Sequence, residues 1–159
     1  MTFTNMDLAD RGRARITAAG AGSAPAPTPA FPFKWGECWT HTVEYRVADF
    51  EAEVGFFLDV MGFRPNALGP DYAMFTGPNR DFFLSIVPAN DVAEATPGDT
   101  LRLGFMIQEI EKVAAELRRR GVELEKPVAR YQESEAPLYT ARFRTPNGIA
   151  VDLWGMGES

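Results

Sequence analysis

Arg46-Val47-Ala48-Asp49-Phe50 leads into Val54, Phe57, Leu58 and Met61 at helical spacing and stops at Gly62-Phe63; the fold turns on this stretch because the chain repeats it. About sixty residues on, Met106-Ile107-Gln108-Glu109-Ile110 leads into Val113, Ala114 and Leu117 and stops at Gly121-Val122. Each copy reads as a strand, a short acidic turn, an amphipathic helix and a glycine just past the helix end. So long a period in 159 residues marks a duplicated module.

Working outward, Thr40 to Val47 alternates and is rich in β-branched and aromatic residues, which predicts a strand, with Asp49 as N-cap of the helix that follows. Three short strands come next, near Phe63–Leu68, Tyr72–Thr76 and Phe82–Val87, punctuated by Gly69-Pro70-Asp71 and Gly77-Pro78-Asn79. Residues 89–99 join the modules. The second copy repeats the order, with strands at Leu101–Ile107 and near Glu123–Ala129, Leu138–Arg144 and Ile149–Trp154. In its last turn, Thr145-Pro146-Asn147-Gly148, the Asn-Gly pair is expected to supply the left-handed positions. The fold class is α+β: two tandem βαβββ modules, about 39–88 and 100–156, whose curved sheets enclose a cup-shaped cavity. Together they form one domain, 34–159.

Residues 1–33 differ. Ala18 to Pro29 is small, Pro-rich and of low complexity, too poor in apolar surface to offset its ordering entropy, and reads as a flexible arm. Phe31, Phe33 and Trp35 would let that arm dock on a partner subunit.

Composition narrows the function. A net charge of −6 advertises no basic face for nucleic acid. One cysteine, Cys38, allows neither an internal disulfide nor a cysteine-based zinc site and points to a reducing, cytoplasmic setting. No run reaches the roughly eighteen apolar residues of a membrane span, and no signal-peptide core follows Arg11, Arg13 and Arg15. Nucleophile elbows, phosphate loops and dinucleotide fingerprints are missing.

The string His41-Thr42-Val43-Glu44-Tyr45-Arg46-Val47-Ala48-Asp49-Phe50, continuing through Phe56-Phe57-Leu58-Asp59-Val60-Met61-Gly62-Phe63, resembles the opening of the vicinal oxygen chelate superfamily: glyoxalase I, bleomycin-resistance proteins and extradiol dioxygenases. Phe105 to Glu111 and Arg144 to Trp154 are similar to that family's second helix and closing hairpin. The resemblance covers about 39–156 and implies the fold, while one fold hosts many chemistries. It also implies a divalent metal in the cup, held from the first and last strands of each module. The matching positions here are Thr42, seven residues before Asp49, then Ser85, Arg102 and Asp152. One is a good ligand and one is a permanent cation. A site of His41 and Asp152 is sparse for zinc, iron or nickel, so the expectation is no metal cofactor, with a divalent-metal lyase, isomerase or dioxygenase using His41 and Asp152 as the alternative.

In the family register, Thr42, Glu44 and Arg46 line the cup from the first strand, and Arg102, Gly104 and Met106 from its repeat. Phe83, Ser85 and Val87 join them, with Ala150, Asp152 and Trp154 from the last strand. Charges there must pair or meet a ligand. One arrangement is internal pairing, Glu44 with Arg102 and Arg46 with Asp152. The other is an arginine gripping an anionic or carbonyl-bearing ligand, with Glu44 or Asp152 as acid–base group. Arg46, Arg102, Thr42, Ser85, Phe83, Met106, Tyr139 and Trp154 are the candidate ligand contacts, and Phe75 and Phe143 further candidates for an aromatic wall. The expected protein is a cytoplasmic homodimer that binds a small aromatic or carbonyl-containing molecule, as a binding protein or a metal-independent enzyme. Neither nucleic acid nor membrane is an expected partner.

Overall fold

A computed structural model of the chain describes residues 41–77, 80, 82–132 and 135–156, all within the unit Trp39–Ser159. The expected N-terminal arm and its aromatic trio lie outside the described residues.

The tandem reading holds. Module one runs β1 (His41–Val47), α1 (Phe50–Gly55), β2 (Arg64–Gly69), β3 (Tyr72–Thr76) and β4 (Phe82–Pro88). Module two runs β5 (Arg102–Ile107), α2 (Ile110–Arg119), β6 (Leu124–Arg130), β7 (Leu138–Arg144) and β8 (Ala150–Met156). The sheets are ordered β1-β4-β3-β2 and β5-β8-β7-β6, each with its first strand parallel to its last. The helix carries the chain from the first strand to the far edge of the sheet, and the antiparallel meander of the next three strands brings the last one back beside the first.

Local physics explains the elements. Asp49 caps α1, its side chain accepting from Ala52 N at 3.1 Å. Gly62 and Gly121 end the helices at φ +67° and +86°, where a side chain would be strained. Two details depart from expectation. The first helix loosens into a π-helical turn, Phe56–Val60, before Gly62. In the last hairpin only Gly148 has positive φ, and Gly148 N donates to Thr145 O at 2.8 Å. Asn147 is therefore not a left-handed residue, and its side chain has other work.

That work joins the modules. Asn147 Nδ2 donates to Asp49 O at 2.8 Å, and Asn147 Oδ1 accepts from Asp49 N at 2.8 Å. Asn147 N and Nδ2 also donate to Glu53 Oε2, at 3.1 and 2.9 Å. Glu53 is fully buried, and its other oxygen accepts from Tyr45 OH at 2.8 Å. Around this cluster lies a core shared by both modules, with Phe56 6.1 Å from Phe143 and Phe63 5.3 Å from Phe105. The modules thus meet through the apolar, helix-bearing faces of their sheets.

Tyr45 gives a pH prediction. Burial, reinforced by the charge and hydrogen bond of Glu53, pushes its phenol well above the ordinary 10.0. A raised folded value adds stability below the unfolded value and loses it as pH climbs past that point. Unfolding free energy, followed by urea titration, is expected to fall steeply above about pH 10. In Tyr45→Phe that alkaline component disappears.

Candidate functional site

Alternation along β1 and β5 leaves one face of each sheet without a helix. Thr42, Glu44 and Arg46 are exposed on that face of sheet one; Arg102, Gly104 and Met106 are exposed on that of sheet two. The register confirms the repeat: Thr42 pairs with Phe83 and Glu44 with Ser85, as Arg102 pairs with Ala150 and Gly104 with Asp152. Thr42 and Arg102 are thus equivalent, as are Ser85 and Asp152. Glu44 corresponds to Gly104, where an added Cβ would come within 3.8 Å of the Trp154 indole nitrogen.

Sheet two carries the densest polar group. Asp152 is only 6% exposed. Arg142, opposite it on β7, holds it in a bidentate fork: Nε donates to Oδ1 at 2.6 Å and Nη2 to Oδ2 at 2.9 Å. The same hydrogen bonds hold the Arg142 guanidinium above its ordinary value. Arg102 Nε stands 3.5 Å from Asp152 Oδ2, its side chain 62% exposed. Trp154, half-buried, meets Tyr131 edge to face at 5.3 Å, and Met106 beside it is 73% exposed.

Neither expected ion pair forms. Arg102 turns to Asp152 rather than Glu44, since the two sit in one sheet. Arg46 does not reach Asp152; its Nη1 lies 3.5 Å from Pro88 O. Glu44 makes no ion pair among the described residues. Tyr139, Phe143 and Phe75 belong to the opposite, helix-bearing faces: Tyr139 pairs with Gly155 and packs on the core, and the other two are fully buried. Their strand parity excludes them from the open faces, to which Phe83 and Trp154 do belong. Ser85 is buried, its hydroxyl 3.4 Å from Tyr72 OH.

The residue missed from the sequence is Arg142. Its signal was present, because a tight turn at 145–148 places it directly across from Asp152.

These positions do not make a donor set for the metal that the resemblance implies. Thr42 and Ser85 are weak ligands, both Asp152 oxygens accept from a guanidinium, and Arg102 adds a second cation. Among the described residues no three His, Cys, Asp or Glu side chains gather to hold an ion.

Two curled βαβββ sheets, each with one helix-free face, define a class, and comparison with known proteins agrees. The chain belongs to the Glyoxalase/Bleomycin resistance protein/Dioxygenase superfamily, whose family model matches residues 39–153. No curated protein matches it. Among solved structures it is similar to a glyoxalase/bleomycin resistance protein/dioxygenase from Nocardioides, at 19% identity and TM-score 0.58, covering 94% of this chain and 95% of that one. It is also similar to TnmS3, an antibiotic-binding protein from Streptomyces sp. CB03234, at 20% identity and TM-score 0.59, covering 74% and 95%. A lactoylglutathione lyase from Agrobacterium tumefaciens follows at 16% identity and TM-score 0.55, covering 72% and 90%. Likeness at this level carries the fold alone. No helix among the described residues is long and apolar enough to cross a membrane.

Proposed function

We propose that this chain is a metal-independent small-molecule binding protein of the superfamily. It holds an aromatic ligand bearing a carbonyl or anionic group against the open face of sheet two. The observation that carries this is the state of Arg102. Arg142 already takes both oxygens of Asp152, so Arg102 keeps a largely exposed guanidinium with donors to spare, beside Met106 and the Trp154 ring. A planar fork next to an apolar wall grips a carbonyl or carboxylate and stacks its ring. The antibiotic-binding neighbour fits such a role. An enzymatic version would take Glu44 as its acid–base group. Asp152, its oxygens shared between Arg142 and Arg102, is engaged in ion pairs rather than free for a metal. We place the protein in the cytoplasm and pair it as a homodimer, a second copy covering the open faces and completing the cup.

A thermal-shift screen of aromatic metabolites and antibiotics, run in chelator, tests this. A ligand at about a hundred times its Kd adds ~2.7 kcal/mol to stability. The shift is expected to persist in chelator and to vanish in Arg102→Met. A stoichiometric metal that survives dialysis and is lost in His41→Ala would sink the reading.

A further inference from the structure

A further cavity lies away from Arg102, Asp152 and Trp154, bordering their sheet face only at Met106. It holds about 900 Å³ and opens between the β2–β3 end of module one and the β5–α2 side of module two. Its wall is built from the apolar faces where the modules meet. Phe63 is central, 5.1 Å from Phe57, 6.2 Å from Phe75 and 5.3 Å from Phe105. Leu84 and Leu153 are lining residues with almost no exposure of their own. Among the described residues, two charged side chains line it, Arg64 and Arg80, and no acid does. Neither arginine is in an ion pair among the described residues.

The mouth is constructed rather than incidental. A bulge between Pro65 and Ala67 re-aims Asn66, whose Oδ1 accepts from Arg80 Nη2 at 2.8 Å and whose Nδ2 lies 3.4 Å from Met74 Sδ. Arg80 sits at φ +57°, a conformation disfavoured for a residue with a side chain. In the repeat, Gly77-Pro78-Asn79-Arg80 matches Thr145-Pro146-Asn147-Gly148, and module two puts glycine at the corresponding left-handed position. Module one thus tolerates strain there and sets a guanidinium at the cavity mouth. The π-helical turn ends on another wall residue, Met61; such turns recur at functional sites.

We propose that this cavity is a second binding site, distinct from the Arg102 site although Met106 borders both, for an aromatic monocarboxylate. The ring lies among Phe63, Phe75 and Phe105, and the carboxylate meets Arg64 and Arg80. Two cations with no ion pair among the described residues, at an apolar opening in a chain of net charge −6, recruit an anion that carries its own apolar body.

Titration calorimetry with 2-naphthoate tests it, with 2-naphthylmethanol as the neutral control of similar shape. One naphthoate per chain is expected, with the alcohol at least about tenfold weaker, the scale of one charge-assisted contact. Both arginines are exposed, so Arg64→Met and Arg80→Met leave the fold intact. Each is expected to weaken naphthoate about tenfold while leaving the alcohol unchanged. Arg102→Met is expected to have no effect here, which separates this site from the one proposed above. The proposal is overturned by absence of binding at millimolar naphthoate, by equal affinity in the Arg64→Met/Arg80→Met double variant, or by loss of binding in Arg102→Met instead.

Discussion

Glu53→Ala is expected to destabilise the protein by ~3–5 kcal/mol, the largest effect of any single truncation considered. The substitution strands the buried Tyr45 OH, removes the acceptor of the part-buried Asn147 N and of one Nδ2 hydrogen bond, and empties a site with no exposure. Domains of this size have about 5–15 kcal/mol in all. The melting midpoint should therefore drop by roughly 10–20 °C in calorimetry. Glu53→Gln keeps the volume but turns a donor toward donors, so a cost of about 1–3 kcal/mol is expected. Asn147→Ala attacks the same cluster from the other module. The double variant Glu53→Ala/Asn147→Ala should cost clearly less than the sum. Additive costs would mean that the hydrogen bonds between the modules contribute little.

Asp152→Ala is the second. It leaves the Arg142 guanidinium, 15% exposed, without either partner oxygen. Breaking one side of a buried pair costs about 3–5 kcal/mol; the residual hydration of Arg142 puts the expectation at ~2–4. Arg142→Met on its own leaves Asp152 with the more distant Arg102 and should cost a similar amount. Together the two changes are expected to cost much less than the sum, since neither charge is then stranded. Chemical denaturation of the four proteins in the cycle measures this. A stable Asp152→Ala protein would instead make Asp152 a residue held for chemistry rather than for the sheet. Glu44→Gln and Arg102→Met, which lie on different sheets, should be additive.

The fold was legible because both copies carry the same punctuation. Asp49 and Glu109 open the helices, Gly62 and Gly121 close them, and apolar spacing does the rest. The strand predicted at Leu138–Arg144 is observed with those bounds. Polar faces were legible too, since parity alone puts Thr42, Glu44, Arg102 and Asp152 on the helix-free side. Pairing was not. Parity gives the face of a residue but not its distance from residues on another sheet, so it allows Glu44 with Arg102 as readily as Asp152 with Arg142, and only the strand order within each sheet decides. Tyr139 shows the same limit: it lies in the expected strand, but its pairing with Gly155 puts its ring on the face opposite Asp152. Glu53 was hidden for a different reason. A carboxyl group in an otherwise ordinary helix looks like a solvated face, and only the hairpin of the other module, 94 residues away, makes it a core residue. The π-helical turn leaves no mark in the apolar spacing.

The connection between the modules carries one more consequence. Ala89 N donates to Val47 O, Thr96 N to Arg46 O, and Arg46 N to Thr96 Oγ1. Gly98 lies so close to the closing hairpin that a Cβ there would stand 2.2 Å from Gly148 O. The linker is thus stitched to the first strand at one end and wedged against the last turn at the other. Exchange of modules between two chains would require that seam to unravel. In the homodimer proposed above, two copies would instead meet as finished surfaces, in an association governed by diffusion and dilution that reverses without unfolding and equilibrates faster than any exchange of segments.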